Sequence, residues 1–264
     1  MSFVDSGNVK IYYEEAGQGT TIILLHGYTL DHRMWAKQVT YFSPKYRVIT
    51  LDARGHGRSD SPDTGYARED RTGDLWNLIQ YLKIEKFHLV GLSMGGGDAL
   101  SFAIDHQERL LSLTLADSVA AGYKPKTRFR DYIDLLKQYP PEKAKEVFIA
   151  STLSYYVDRD PEIREQLEQM MLSFSGKPWT DPMQGKYSKR DDVRMAAMVR
   201  IPVLIIVGKK DLAWLPLAKS LNEILLDSKL EILPGVGHMS NMEAPEKFNA
   251  LLESFLSGIS GKGL

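Results

Sequence analysis

A mostly parallel, doubly wound α/β sheet, interrupted by one helical insertion, is the fold that the sequence predicts. Three observations carry it. Short apolar, β-branched runs bounded by turn residues recur along the chain. They are continuous rather than alternating, as strands buried on both faces are. Helical patterns fill most of the gaps between them. From Gly122 to Arg200 the strand signal stops, and helices rich in charge, aromatics and methionine take over.

Taken in order, "VKIYYEE" (Val9 to Glu15) alternates and predicts an edge strand. "TIILLH" (Thr21 to His26), "RVITLD" (Arg47 to Asp52) and "FHLVGL" (Phe87 to Leu92) predict buried strands, as do "LSLTLA" (Leu111 to Ala116), "PVLIIVG" (Pro202 to Gly208) and "KLEILP" (Lys229 to Pro234). "EDRTGDLWNLIQYLK" places Leu75, Leu78, Ile79 and Leu82 on one helical face. "GDALSFAIDH" predicts a helix after Ser93, and "APEKFNALLESFL" opens on Pro245, which suits a helix N-terminus. The insertion would lie over the C-terminal ends of the strands, where α/β sheets bind ligands. That divides the chain into a core, 1–121 with 201–264, and a helical cap, 122–200. Phe129, Tyr132, Tyr155, Tyr156, Met170, Met171, Phe174 and Trp179 of the cap are candidates for an apolar pocket wall.

Composition bounds the function. The chain has 264 residues, 43% hydrophobic and 25% charged, with a net charge of -1. Such a chain buries a sizeable core and has no overall field for nucleic acid or anionic membrane. With no cysteine, thiolate catalysis, disulfides and cysteine metal sites are excluded. The N-terminus lacks a basic stretch followed by an apolar one, and no run is long enough to span a bilayer, so a soluble cytoplasmic protein is expected. A homo-oligomer is compatible with all of this.

The chemistry centres on "HLVGLSMGGGDAL", where Gly91-Leu92-Ser93-Met94-Gly95 stands between a predicted strand and a predicted helix. G-x-S-x-G in that context is a nucleophile elbow, a turn so tight that small residues must flank the serine. The helix that follows offers its N-terminal N–H groups to a developing oxyanion. A serine needs a base, and the base an orienting acid. His238 stands on a glycine-rich loop before the final helix, and Asp211 follows the preceding strand. The order Ser93, Asp211, His238 is the one this arrangement requires. Asp117, which also follows a strand, is the rival acid.

On these residues the chain resembles the α/β-hydrolase fold, in its small, cofactor-free, capped form. Within it the resemblance is nearest to bacterial aryl- and carboxylesterases related to 3-oxoadipate enol-lactonase. "LLHGYTLDHRMW" resembles the oxyanion loop after the third strand, and "LDARGHGRSD" the segment after the fourth. The resemblance implies a cap after the sixth strand of the family's sheet. It also implies oxyanion N–H donors from Tyr28 and Met94, with Ser93, His238 and Asp211 cleaving small carboxylic esters through an acyl-enzyme. Tyr28 stands where lipases with an HGGG loop have glycine, which argues against bulky acyl or tertiary-alcohol substrates. Lactone hydrolysis, C–C bond hydrolysis and a slow ligand receptor are the alternatives that the same resemblance implies. No histidine pair has a zincin or deaminase context, so neither metal nor cofactor is expected. His26 and His56 read as braces of their loops, His32 as a surface residue, and His88, His106 and Asp52 as structural.

Overall fold

The computed structural model describes residues 2–125, 132–156, 160–181 and 190–260. It is built on an eight-stranded sheet ordered β1-β2-β4-β3-β5-β6-β7-β8. Strands β1 (Ser2–Ser6), β2 (Val9–Ala16) and β4 (Arg47–Leu51) pair antiparallel in that order. The others pair in parallel: β3 (Thr21–Leu25) between β4 and β5 (Phe87–Leu92), then β6 (Leu110–Ala116), β7 (Val203–Gly208) and β8 (Ser228–Leu233). Successive side chains serve opposite faces. Ile23 and Leu25 enter one apolar cluster, while Ile22 and Leu24 enter the other. Helices α2 (Arg68–Tyr81), α3 (Met94–His106) and α9 (Leu215–Ile224) cover the first face. Helices α1 (Ala36–Phe42) and α11 (Pro245–Ser260) cover the second.

One expected strand sits elsewhere. Val9 to Glu15 is not an edge, because β1 pairs along it from Ser2↔Tyr13 to Ser6↔Val9. Only Val4 and Ser6 of β1 face inward, too few apolar positions to make a pattern. Helix α3 also begins earlier than its apolar pattern, at Met94, immediately after Ser93.

Among the described residues five α-helices fall between β6 and β7, the first four being α4 (Tyr132–Leu136), α5 (Pro141–Tyr156), α6 (Pro161–Ser173) and α7 (Lys177–Thr180). The Asp160 carboxylate caps α6 by accepting from the Glu162 and Ile163 N–H groups, and Pro161 takes the first position. Ile163, Leu167, Met170 and Met171 pack into the cluster on the α11 side of the sheet. Leu135, Ala144, Phe174 and Trp179 form a small cluster of their own against Tyr28. Short α8 (Asp192–Met195) returns the chain to the sheet. The Val193 N–H donates to Ala121, and Ala196 and Val199 join the core on the α2–α3 side. Phe129 and the side chains of Tyr132, Tyr155 and Tyr156 lie outside the described residues. Among the described residues no helix is long and apolar enough to cross a membrane.

Candidate active site

Ser93 stands at the junction of β5 and α3 with φ 55° and ψ −114°, a conformation L-residues seldom adopt. The neighbouring glycines make that turn sterically open. A Cβ on Gly91 would lie 2.1 Å from the Gly95 carbonyl oxygen, and one on Gly95 would lie 2.3 Å from that of Leu25. Three backbone hydrogen bonds hold the serine: its N–H donates to Ala116, and its carbonyl accepts from Gly97 and Val119. The strain is therefore set by the sheet on one side and the loop after β6 on the other.

His238 and Asp211 converge on this point from the loops after β8 and β7. The Asp211 Oδ2 lies 2.7 Å from His238 Nδ1, and the Ser93 Oγ lies 2.9 Å from His238 Nε2. With Nδ1–H donating to the carboxylate, Nε2 is left as the acceptor for the serine hydroxyl. All three side chains are buried. The two loops are sewn together, since the Lys209 and Lys210 N–H groups donate to Leu233 and Val236. Burial alone would lower the His238 pKa. The charge and hydrogen bond of Asp211, then the charges of Asp117 and Glu243, outweigh it and hold the imidazole above its ordinary value. A hydroxyl, an imidazole and a carboxylate in this order can move a proton off the hydroxyl as its oxygen attacks an electrophile.

The loop after β3 closes the site. His26 Nδ1 lies 2.8 Å from the Gly27 carbonyl, and its Nε2 accepts the Ala53 N–H at 2.9 Å. It thereby ties this loop to the one after β4. The Gly95 N–H donates to the His26 carbonyl, which binds the loop to the elbow. Thr29, next to Tyr28, is left-handed at φ 63°. The Met94 N–H, at the first position of α3, has no hydrogen-bond partner among the described residues. Tyr28 meets the rings of Phe174, Trp179 and His56, so the helical insertion and the loop after β3 share an aromatic contact.

The remaining histidines separate clearly. His56 is buried against its own loop, with Nδ1 3.0 Å from the Arg54 carbonyl; burial, then the nearby His26, hold its pKa well below the usual value. His88 pairs with Ser112 Oγ, and burial lowers it to about 4. His106 stacks on Trp76. His32 corrects the surface expectation. It is buried, and both its N–H and its Nδ1 lie 2.8 Å from Asp52 Oδ1. The Asp52 carboxylate, fully buried at the end of β4, draws it inward and also accepts the Arg58 N–H. Among the described residues two groups of side chains could converge on a metal ion, Asp31–His32–Asp52 and Asp117–Asp211–His238. Their carboxylates already accept from protein donors: Asp31 from Arg33, Asp52 and Asp211 as described above, and Asp117 from the Gly208 N–H.

Sequence reasoning missed one residue here and did not foresee the contacts of another. Glu243, on the short helix α10 (Ser240–Glu243), accepts the N–H groups of Gly237 and Met239 and so clamps His238 from both sides. Asp117 accepts the Gly208 N–H at 2.8 Å and the Ser240 N–H at 3.3 Å, a position the rival-acid reading did not anticipate.

Comparison with known proteins fits this architecture. Residues 20–245 match the family model described as the alpha/beta hydrolase fold. The chain is 29% identical over 258 residues to the AB hydrolase superfamily protein YisY of Bacillus subtilis, covering 94% of this chain and 96% of that one. It is 28% identical to 3-oxoadipate enol-lactonase 1 of Acinetobacter baylyi, covering 90% and 89%. The solved esterase EaEST of Exiguobacterium antarcticum superposes with a TM-score of 0.87 at 25% identity, covering 97% and 99%. The match runs from β3, past the elbow at Ser93 and the helices between β6 and β7, to the loop of His238. A sheet of this order, with a strained serine between β5 and α3, places the chain in the alpha/beta hydrolase fold family.

Proposed function

We propose that the protein is a serine carboxylesterase that cleaves small carboxylic esters through an acyl-enzyme. The observation that carries the reading is the continuous chain from Ser93 Oγ through His238 to Asp211, at 2.9 and 2.7 Å, behind a left-handed serine. His238 Nε2 takes the Ser93 proton as Oγ attacks the ester carbonyl carbon. The backbone N–H groups of Tyr28 and Met94 receive the oxyanion. As the tetrahedral intermediate collapses, the imidazolium gives its proton to the leaving alkoxide. His238 then deprotonates a water, which attacks the acyl carbon and frees the acid. The helical insertion, residues 122–200, serves as a cap whose Phe174 and Trp179 stand over Tyr28 and bound the acyl pocket.

A second reading, lactone hydrolysis, uses the same steps, because a lactone is an internal ester. The likeness to an enol-lactonase favours it over a receptor role. Steady-state hydrolysis of p-nitrophenyl esters from acetate to palmitate, on wild type and Ser93→Ala, tests the proposal. Fast turnover of short chains, lost in Ser93→Ala, is expected. Activity that survives in Ser93→Ala overturns the mechanism. Ser93-dependent opening of lactones with no ester turnover shifts the assignment to the second reading.

A further inference from the structure

Asp117 is a buried carboxylate at the end of β6, and the reaction as described above does not use it. It is held in a left-handed conformation, φ 43°, which residues other than glycine seldom adopt. Its Oδ1 accepts the Gly208 N–H, at the end of β7 and three residues before Asp211. Its Oδ2 accepts the Ser240 N–H, two residues after His238. Gly208 belongs to the same junction: a Cβ there would lie 2.0 Å from the Gly237 carbonyl oxygen. One side chain therefore joins the acid loop to the base loop. One donor atom each of Asp117, Asp211 and His238 lie within 4.8 Å of one another, all buried.

Two carboxylates beside one imidazole cannot all behave independently. Burial, the dominant influence, pushes the Asp117 carboxyl up to about 7; His238 pulls it down and Asp211 pushes it up. The groups that face His238 are Asp211 from the loop after β7, Asp117 from β6, Glu243 from α10 and Ser93 from the elbow. Lys210 acts on Glu243 from the acid loop.

We propose that Asp117 is a positioning residue and a second acid of this site, which locks the Asp211 and His238 loops together and shares with Asp211 the charge that holds the His238 imidazolium. The inference rests on the Ser93–His238–Asp211 reading. When Ser93 Oγ attacks the acyl carbon and its proton passes to His238 Nε2, the new positive charge meets carboxylates from two strands. With Asp211 neutralised, Asp117 remains to face it.

The test compares Asp117→Asn, Asp211→Asn and the double variant across pH, with p-nitrophenyl butyrate. Asn at 117 keeps one acceptor oxygen, for the Gly208 N–H, and removes the charge together with the acceptor of the longer Ser240 N–H bond. The acid limb of kcat/KM in Asp117→Asn is expected about one unit below that of wild type, because a negative neighbour of His238 is gone. Asp211→Asn is expected to keep about tenfold more activity than the double variant, which falls by about 10⁴, the scale of losing the acid outright. A uniform loss at every pH with an unmoved limb, or a double variant equal to Asp211→Asn, overturns the proposal. Titration of the His238 ring by NMR, in wild type and Asp117→Asn, needs no substrate. A curve shared with a second proton in wild type, and simple and shifted down in the variant, is expected. A simple one-proton curve in wild type overturns the inference even if Asp117→Asn does not fold. If no ester is cleaved but the coupled titration is found, the esterase reading falls and the role of Asp117 stands.

Discussion

The C-terminal rim of the sheet and the helical insertion between β6 and β7 are built on opposite terms. At the rim, backbone bonds hold the functional groups, several of them to another strand or loop. Ser93 is bonded to Ala116, Gly97 and Val119, Asp211 to Gly208, and the loops of Asp211 and His238 to one another. In the insertion, a small core of Leu135, Ala144, Phe174 and Trp179 meets the rim through rings, Phe174 and Trp179 on Tyr28 and Phe174 on His56, and through side-chain ties such as the Ser175 hydroxyl donating to the Gly55 carbonyl. Geometry that must hold to tenths of an ångström sits where long-range hydrogen bonds fix it. Shape that can vary sits on helices with few such ties. The difference predicts which substitutions act on chemistry, which on stability and which on selectivity.

The largest effect belongs to the rim. Ser93→Ala is expected to lower ester turnover by about 10⁶-fold, with the unfolding free energy within about 0.5 kcal/mol of wild type. Single-turnover kinetics and denaturation of the same preparation check both halves. A parallel loss of stability would show that the hydroxyl is a structural part rather than a nucleophile. Next is a matched pair. Phe248, fully buried on α11 against Trp35, is expected to cost about 4 kcal/mol on truncation to Ala. Trp179→Ala is expected to cost about 1 kcal/mol in global unfolding, because the cluster it leaves can open on its own. Its effect should fall on acyl-chain preference and KM. Equal costs in urea denaturation would break the comparison and make insertion and sheet one cooperative unit.

A pH-dependent effect tests how dry the sheet is beneath the rim. Burial holds His88, on β5, at about 4. Above the unfolded value near 6.5, both states carry a neutral ring and the fold loses nothing. Below it, the unfolded chain takes up a proton that the folded chain refuses, so stability falls as pH drops toward 4. The loss from this residue is about 3 kcal/mol at 1.36 kcal/mol per pH unit. Urea midpoints at pH 7 and pH 4.5 should separate in wild type and draw together in His88→Asn. The same separation in both would assign the acid sensitivity to other groups.

The sequence was most legible where one physical rule dominates. Strands buried on both faces leave continuous apolar runs, and six of them coincide with parallel strands to within a residue or two. The glycines of "GLSMGGG" were legible for the same reason, since steric closure at Gly91 and Gly95 permits no other residue. What stayed hidden depends on partners distant in sequence. Strand β1 has only Val4 and Ser6 facing inward and exists because β2 offers it a ladder. His32 is buried because Asp52, twenty residues on, accepts from it twice. Asp117 was read as a rival to Asp211, because nothing local shows that its oxygens reach both Gly208 and Ser240. The insertion gave only its helical character, since the places of its helices depend on partners distant in sequence, as when Ile163, Leu167, Met170 and Met171 of α6 pack into the cluster on the α11 side of the sheet.

The smallest effect sharpens the comparison furthest, because it touches the rim without removing any reacting group. Glu243 clamps the His238 loop by accepting the Gly237 and Met239 N–H groups through separate oxygens, at 2.9 and 3.0 Å. Gln at 243 has one acceptor oxygen, so one of those donors must turn to the amide nitrogen or go unpaired. The loop then loosens at one end while Asp211 and Ser93 still engage the ring. A fall in kcat of about three- to tenfold is expected, since each tenfold corresponds to about 1.4 kcal/mol, the scale of one hydrogen bond. Glu243 also pushes the His238 pKa up, less than Asp211 or Asp117 does. Removing its charge lowers that pKa, and the acid limb of kcat/KM moves to lower pH. The shift should be smaller than that of Asp117→Asn. A pH–rate profile of Glu243→Gln beside Asp117→Asn measures both. A shift as large as that of Asp117→Asn would place Glu243 as close to the imidazole electrostatically as the two aspartates, and the rim would then hold its base by three carboxylates rather than two.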